Sequence, residues 1–218
     1  MPNSYRVFIS EFWRNFHSTG SIAPSSRWLA RALTRFVPTT QDCGARKILE
    51  VGPGTGAVTG ELVRRLAPND SLTLVELNDQ FVEHLRNRFE GEEHFRQVAD
   101  RSQIVHDRLE NLPAGTQYDL IISGLPLNNF DVSTVVEILA TLERFLSPGG
   151  RLSFFEYVAV RKARGLVSGP VERTRLKGIG EALDQTCRRH EHSRECVLSN
   201  LPPAWVHHLR KSPDAAVV

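Results

Sequence analysis

From Lys47 onward, short aliphatic and β-branched runs alternate with amphipathic patterns of about ten residues. The runs KILEV, LTLVEL, QIVH, YDLIISG and RLSFFEYVAV alternate with VTGELVRRL, DQFVEHLRNRF and VSTVVEILATLERFL. Strands joined through helices form right-handed crossovers, because only that hand packs the helix back onto the twisted sheet. The alternation therefore predicts an α/β chain: a doubly wound, mainly parallel, Rossmann-like sheet with helices on both faces. Ser147, Pro148, Gly149 and Gly150 are expected to end the last long helix and turn the chain into the fifth strand.

At 218 residues the chain can bury roughly 70% of its unfolded surface, enough for a core without disulfides or a structural metal. Three cysteines, Cys43, Cys187 and Cys196, are too few and too odd a set for a disulfide framework. The opening MPNSYRVFIS lacks the basic flank and apolar run of a signal peptide, and no stretch approaches the roughly 18 apolar residues of a spanning helix. These features point to a reduced, cytoplasmic chain whose membrane contact, if any, is peripheral.

Ahead of the alternating core, Tyr5, Phe8, Ile9, Phe12, Trp13 and Phe16 recur at helical spacing, with Arg6, Ser10, Glu11, Arg14 and Asn15 on the other side. Residues 1–44 are thus expected to be an amphipathic, aromatic helical segment, either a membrane anchor or a lid, preceding a domain over 45–218. Between Arg161 and Lys177 six basic residues accompany one acid and are broken by Gly165, Gly169 and Pro170, which reads as a mobile basic loop. Residues 1–47 hold 7 Lys/Arg against 2 Asp/Glu, residues 48–150 hold 8 against 16, and residues 151–218 hold 12 against 7. Basic ends around an acidic centre suit a polyanionic partner, nucleic acid or anionic lipid, or simply a solvated surface.

Glu50-Val-Gly52-Pro-Gly54-Thr-Gly56 follows a strand and precedes a helix, where backbone must turn sharply and approach a ligand closely. Spacing alone leaves a dinucleotide open, since Gly52, Gly54 and Ala57 meet the permissive fingerprint and Glu76 lies where a ribose-binding acid would. Glu50 shifts the balance: a carboxylate there suits an ammonium and is unhelpful beside a pyrophosphate. S-adenosylmethionine has an ammonium, a ribose and no phosphate. Its carboxylate would face the following helix N-terminus, its ribose hydroxyls Glu76, and its adenine amino group Asp107.

EVGPGTG, VEL, VHD and LSPGGRLSFF together resemble class I S-adenosylmethionine-dependent methyltransferases over about residues 45–160. Within that class, Ser123-Gly124-Leu125-Pro126-Leu127-Asn128-Asn129-Phe130 is similar to the SGLPL-x-NF segment of bacterial phospholipid N-methyltransferases. Gly20 to Ser26 and Asn200 to Ala204 are also similar to segments of that family. The resemblance implies transfer of methyl groups from S-adenosylmethionine, leaving S-adenosylhomocysteine, to phosphatidylethanolamine and its partly methylated forms, towards phosphatidylcholine. It implies peripheral association with the inner face of the cytoplasmic membrane.

For that reaction, the turn Ser123, Gly124, Leu125 is expected to hold the amine, and Tyr157 either to orient it or merely to pack on the sheet. Phe8, Phe12, Trp13 and Phe16 would enter the interface while Arg6 and Arg14 meet lipid phosphates. An rRNA or other nucleic-acid adenine N6-methyltransferase is the alternative. It is disfavoured because GLPLNN has leucine where such enzymes carry a base-stacking aromatic. A non-catalytic membrane-binding protein retaining the fold is a third reading. Cys187, His190, His192 and Cys196 are possible zinc ligands, yet no metal is expected; His207 and His208 read as surface or terminal-helix residues.

Overall fold

Each sequence run becomes one element, and polar caps set the boundaries. In the computed structural model, which describes residues 26–38, 44–158 and 169–213, Ser26 opens α1 (Arg27–Leu33), its hydroxyl accepting from the Leu29 amide at 3.2 Å. Next come β1 (Lys47–Val51), α2 (Ala57–Val63), β2 (Ser71–Glu76), α3 (Asp79–Gly91), α4 (Glu93–Arg96), β3 (Ser102–His106) and β4 (Tyr118–Ser123). They are followed by α5 (Val132–Phe145), β5 (Leu146–Tyr157), α6 (Pro170–Arg189), β6 (Glu191–Val197) and β7 (Ala204–Arg210). Asn78 caps α3 and Asp131 caps α5, each accepting from amides of the first turn.

Among the described residues the sheet has seven strands in the order β3-β2-β1-β4-β5-β7-β6. β1 to β5 are parallel, and β7 runs antiparallel between β5 and β6. The expected doubly wound sheet is present, with a C-terminal antiparallel hairpin added. Strand order reverses between β1 and β4, which opens a crevice at their carboxyl ends. The central strands are apolar on both faces. Leu49, Val51 and Ile121 pack under α5 and α6, while Ile48, Leu120 and Ile122 pack under α1 and α2.

Three expectations change. Residues 170–177 are not a loop but the first turns of α6, because Gly169 is its N-cap and Pro170 its first residue. Proline there has the right φ and lacks only an amide that would have no partner anyway, so punctuation read as a break is a helix start. His207 and His208 lie buried on β7, 5% and 3% exposed. The Ser147–Gly150 segment sits within β5, where pairing slips from Tyr118 opposite Leu146 to Leu120 opposite Arg151. The aromatic segment with Phe8, Phe12, Trp13, Phe16, Arg6 and Arg14, and residues 161–168, lie outside the described residues.

At the amino ends of the strands, Asp70 joins β1 to β2. Its carboxylate accepts from the Arg46 amide at 3.1 Å, Arg46 Nε at 2.9 Å and the Ala67 amide at 2.8 Å, and also pairs with Arg46 Nη2. Both side chains are buried. Removing one partner leaves a charge without solvent or counterion, so Asp70→Ala is expected to cost about 3–5 kcal/mol. The check is a lowered urea midpoint at unchanged slope; a loss under 1 kcal/mol would show the pair to be dispensable.

Candidate cofactor and acceptor site

The site is built at the carboxyl ends of β1, β2, β3 and β4. Leaving β1, Gly52, Gly54 and Gly56 all take positive φ, at 69°, 56° and 75°, a region costly for residues with a Cβ. Close approach adds a second constraint at Gly52, where a Cβ would come within 2.6 Å of Leu125 Cδ2. A Cβ on Gly124 would meet the Gly52 carbonyl oxygen at 2.5 Å. The Gly124 amide donates to Val51 O at 2.8 Å. The glycine loop and the Ser123–Leu127 turn are therefore one interlocked unit.

Glu50 is fully buried, and neither carboxylate oxygen has a hydrogen-bond partner among the described residues. Burial pushes its pKa from 4.5 to about 8, with the nearby Thr59 hydroxyl and Arg88 guanidinium opposing and Glu76 reinforcing the rise. A buried, unpartnered carboxyl group beside a glycine cradle calls for a cationic hydrogen-bond donor from outside the chain. That demand fits the ammonium of an S-adenosylmethionine-type ligand.

Glu76, 3% exposed, bends back onto the loop: Oε2 accepts from the Gly54 amide at 3.0 Å, and Oε1 from the Leu77 and Asn78 amides at 2.8 and 2.9 Å. Burial still raises its pKa, the Asn78, Gly54 and Leu77 amides opposing. A carboxylate offers about four acceptor positions, so three amides leave room for a hydroxyl. Asp107 follows β3 in an exposed loop, where Oδ1 accepts from the Arg108 amide and the Asn111 side chain, both at 2.7 Å. The structure thus brings Glu50, Gly52, Gly54, Gly56, Glu76, Ser123, Gly124 and Leu125 together, with Asp107 at the neighbouring strand end.

Tyr157 ends β5 at the same edge, but its ring packs edge-on against Phe155, centroids 5.1 Å apart, in the core cluster on the α1 face. Leu125 belongs to the cluster on the opposite face. Burial raises the Tyr157 hydroxyl to about 12. This packing supports the reading of a sheet-packing tyrosine.

Three residues escaped the sequence reading. Arg88 on α3 donates from Nη1 to Thr55 O at 2.9 Å and Gly56 O at 2.7 Å, bracing the loop from outside. Its i,i+4 pair with Glu92 was the available signal. Arg175, expected in a free basic loop, donates from both terminal nitrogens to Asn128 O at 3.1 Å and also reaches Phe130 O. It fastens α6 to the acceptor turn. Asn128 is 2% exposed, and neither its amide nitrogen nor its amide oxygen has a partner among the described residues.

Positive-φ glycines after β1, a buried acid before them and an acid ending β2, at the switch point of a 3-2-1-4-5-7-6 sheet, define a class I methyltransferase. Known proteins agree. A family described as methyltransferase domain matches residues 48–150. Ornithine lipid N-methyltransferase of Singulisphaera acidiphila is 30% identical over 148 residues, covering 66% of this chain and 73% of that protein. A ubiquinone/menaquinone biosynthesis C-methyltransferase of Psychromonas ingrahamii is 28% identical over 123 residues, 54% of this chain and 47% of that protein. The chain therefore spans less than half of the latter. An O-methyltransferase from Bacillus cereus, solved in complex with SAH, shares the fold at TM-score 0.63 and 15% identity, covering 97% of this chain and 93% of that one. The chain belongs to the class I S-adenosylmethionine-dependent methyltransferases, and its cofactor is S-adenosylmethionine.

Two tests follow. With a folded pKa of about 8 against 4.5, Glu50 keeps a proton in the folded chain that the unfolded chain releases. Stability of the cofactor-free protein should therefore fall as pH rises through this window. Glu50→Gln removes that dependence and is expected to gain about 4 kcal/mol at pH 8, or about 8–16 °C in melting midpoint, shrinking towards pH 5. Calorimetry should show S-adenosylmethionine binding weakened about 10–100-fold in the same variant. Unchanged affinity would remove Glu50 from the site. Gly124→Ala, which needs backbone to move at Gly52, is expected to abolish measurable cofactor binding in the same titration.

Proposed function

We propose that this methyltransferase acts at a membrane surface on the amine of a lipid head group, with phosphatidylethanolamine and its partly methylated forms as acceptors. The observation that carries the reading is the turn between β6 and β7. Leu198 and Leu201 are 75% and 80% exposed there. Because β7 is antiparallel to β5, with Tyr157 opposite Ala204, this turn lies at the carboxyl edge that also carries the site. Two large apolar side chains exposed together beside a site suit an apolar partner surface. The Ser26 amide donates to Asn200 Oδ1 at 3.1 Å, so α1 starts at this rim, and the aromatic stretch 5–16 precedes it in sequence. No helix among the described residues is long and apolar enough to cross a membrane.

When bound, S-adenosylmethionine supplies an electrophilic methyl group on a sulfonium. Glu50 would hold its ammonium, Glu76 its ribose and Asp107 its adenine edge, while Gly52, Gly54 and Gly56 let backbone approach. The chain's remaining task is positioning, since an in-line displacement by a neutral amine needs alignment and a dry site. Ser123, Gly124 and Leu125 would align the amine, and the buried Asn128 amide is a further acceptor for its N–H. Phe130, the aromatic of this turn, is 2% exposed within the core, which disfavours stacking on a flipped base. The likeness to an ornithine lipid N-methyltransferase favours a second acceptor, the amine of an ornithine lipid, for which the same geometry serves.

Methyl transfer from labelled S-adenosylmethionine should be measured on anionic vesicles holding phosphatidylethanolamine or ornithine lipid, with rRNA in parallel. Labelled lipid is expected; labelled RNA beside silent vesicles overturns the proposal. Replacing Leu198 and Leu201 by Asp should cut vesicle binding and lipid turnover about tenfold or more while leaving cofactor affinity unchanged.

A further inference from the structure

We propose that Cys187, His192 and His207 form a zinc site that pins α6 to the C-terminal hairpin. The three come from three elements: Cys187 from the last turns of α6, His192 from β6 and His207 from β7. Their ligand atoms all lie within 4.8 Å of one another. His192 Nε2 is 3.0 Å from His207 Nδ1, and Cys187 Sγ is 3.9 Å from the same nitrogen. Bond lengths of about 2.0–2.1 Å to nitrogen and 2.3 Å to sulfur in a tetrahedron put paired nitrogens about 3.3 Å apart and sulfur about 3.6 Å from nitrogen. The two separations from His207 differ from these by about 0.3 Å, while Cys187 and His192, within 4.8 Å of each other, would draw together by up to about 1.2 Å on binding.

His207 is held in place, and His192, its ring 12° from the same plane and its Nε2 on His207 Nδ1, would turn outward to share the metal. His207 is buried and stacked on Phe154, centroids 5.0 Å and planes 9° apart, so its ring cannot swing freely. Its Nε2 faces Glu156 Oε1 at 3.4 Å. A proton held on Nε2 towards that carboxylate leaves the Nδ1 lone pair facing Cys187 and His192. This is the arrangement by which a carboxylate orients a metal-binding imidazole. Two imidazoles and a thiolate select zinc over calcium or magnesium, which prefer oxygen donors. Exposed His192 leaves the solvent side open for a water as fourth ligand. Coordination forms two Zn–N bonds and one Zn–S bond, and the Cys187 thiol proton passes to solvent.

The set differs from the one the spacing suggested. His190 Nε2 instead faces Glu143 Oε1 at 3.3 Å, and Cys196 is exposed opposite Trp205. Only alignment of β7 with β6 brings His207, fifteen residues on, into place.

The test uses the full chain, stripped with a chelator and titrated with zinc against a chromophoric competitor. One zinc per chain is expected, with a raised melting midpoint. Cobalt in its place should give the sulfur-to-metal absorption of a thiolate site. Cys187→Ser and His192→Ala should each weaken zinc binding about 100-fold, and Cys187→Ser should remove the cobalt–sulfur band, while Cys196→Ser changes neither. His192 is exposed, so its variant is expected to fold, which circular dichroism checks. No stoichiometric zinc in the parent chain, or zinc held undiminished by both variants, overturns the proposal.

Discussion

Backbone meets backbone where Gly52 and Gly124 cross, and the site depends on that contact. β1 and β4 are neighbours in the sheet, so the chain leaving each must turn away in a different direction. The Gly52 amide donates to Val75 O at 2.9 Å and the Gly124 amide to Val51 O at 2.8 Å. The loop that would cradle the cofactor and the turn that would hold the acceptor are thereby fixed to adjacent strand ends. Alignment of two reactants is a large contribution that a scaffold can make to a displacement reaction. Here it is set by the absence of two side chains.

Around that seam the chain tolerates unfavourable electrostatics. Glu50 is buried without a hydrogen-bond partner among the described residues, and Glu76, also buried, raises its pKa further. Both groups disfavour the folded state at neutral pH, and the cost is affordable because the sheet is packed on both faces. Glu50 is already desolvated and loses little more on meeting an ammonium, which draws off its proton to solvent, so part of the cost in the free protein is recovered in the complex. Arg88 limits the penalty by its charge, which opposes the rise at Glu50, while its hydrogen bonds hold the Thr55 and Gly56 carbonyls.

The parallel half of this fold was legible because its signals are local. KILEV, EVGPGTG and the acid closing LTLVE each sit on one strand end, and a buried strand reads as an apolar run whatever its partners. Arg175 and the two histidines failed for another reason, since each depended on contacts distant in sequence. Arg175 looked like a free cation until α6 carried it to carbonyls 45–47 residues away. His207 and His208 looked terminal because nothing in AWVHHLR announces a strand inserted between β5 and β6. Asn128 was quoted within a motif, yet its burial comes from the turn of Leu127–Asn129 and not from its type.

Period-two alternation on that inserted strand explains why consecutive histidines end in different surroundings. His207 faces Phe154, Cys187 and His192 on the α6 side. His208 faces Ser153, at 2.8 Å, and Phe36, beyond α1. A β-branched pair would have filled both positions with more apolar burial and less desolvation cost. Polar side chains here favour one register of the hairpin, because a slip of one residue would move each imidazole to the other face, away from its present partners. Register in turn decides where the β6–β7 turn projects. The geometry that aims Leu198 and Leu201 at the rim of the site is thus set within the sheet, some distance below the surface they occupy.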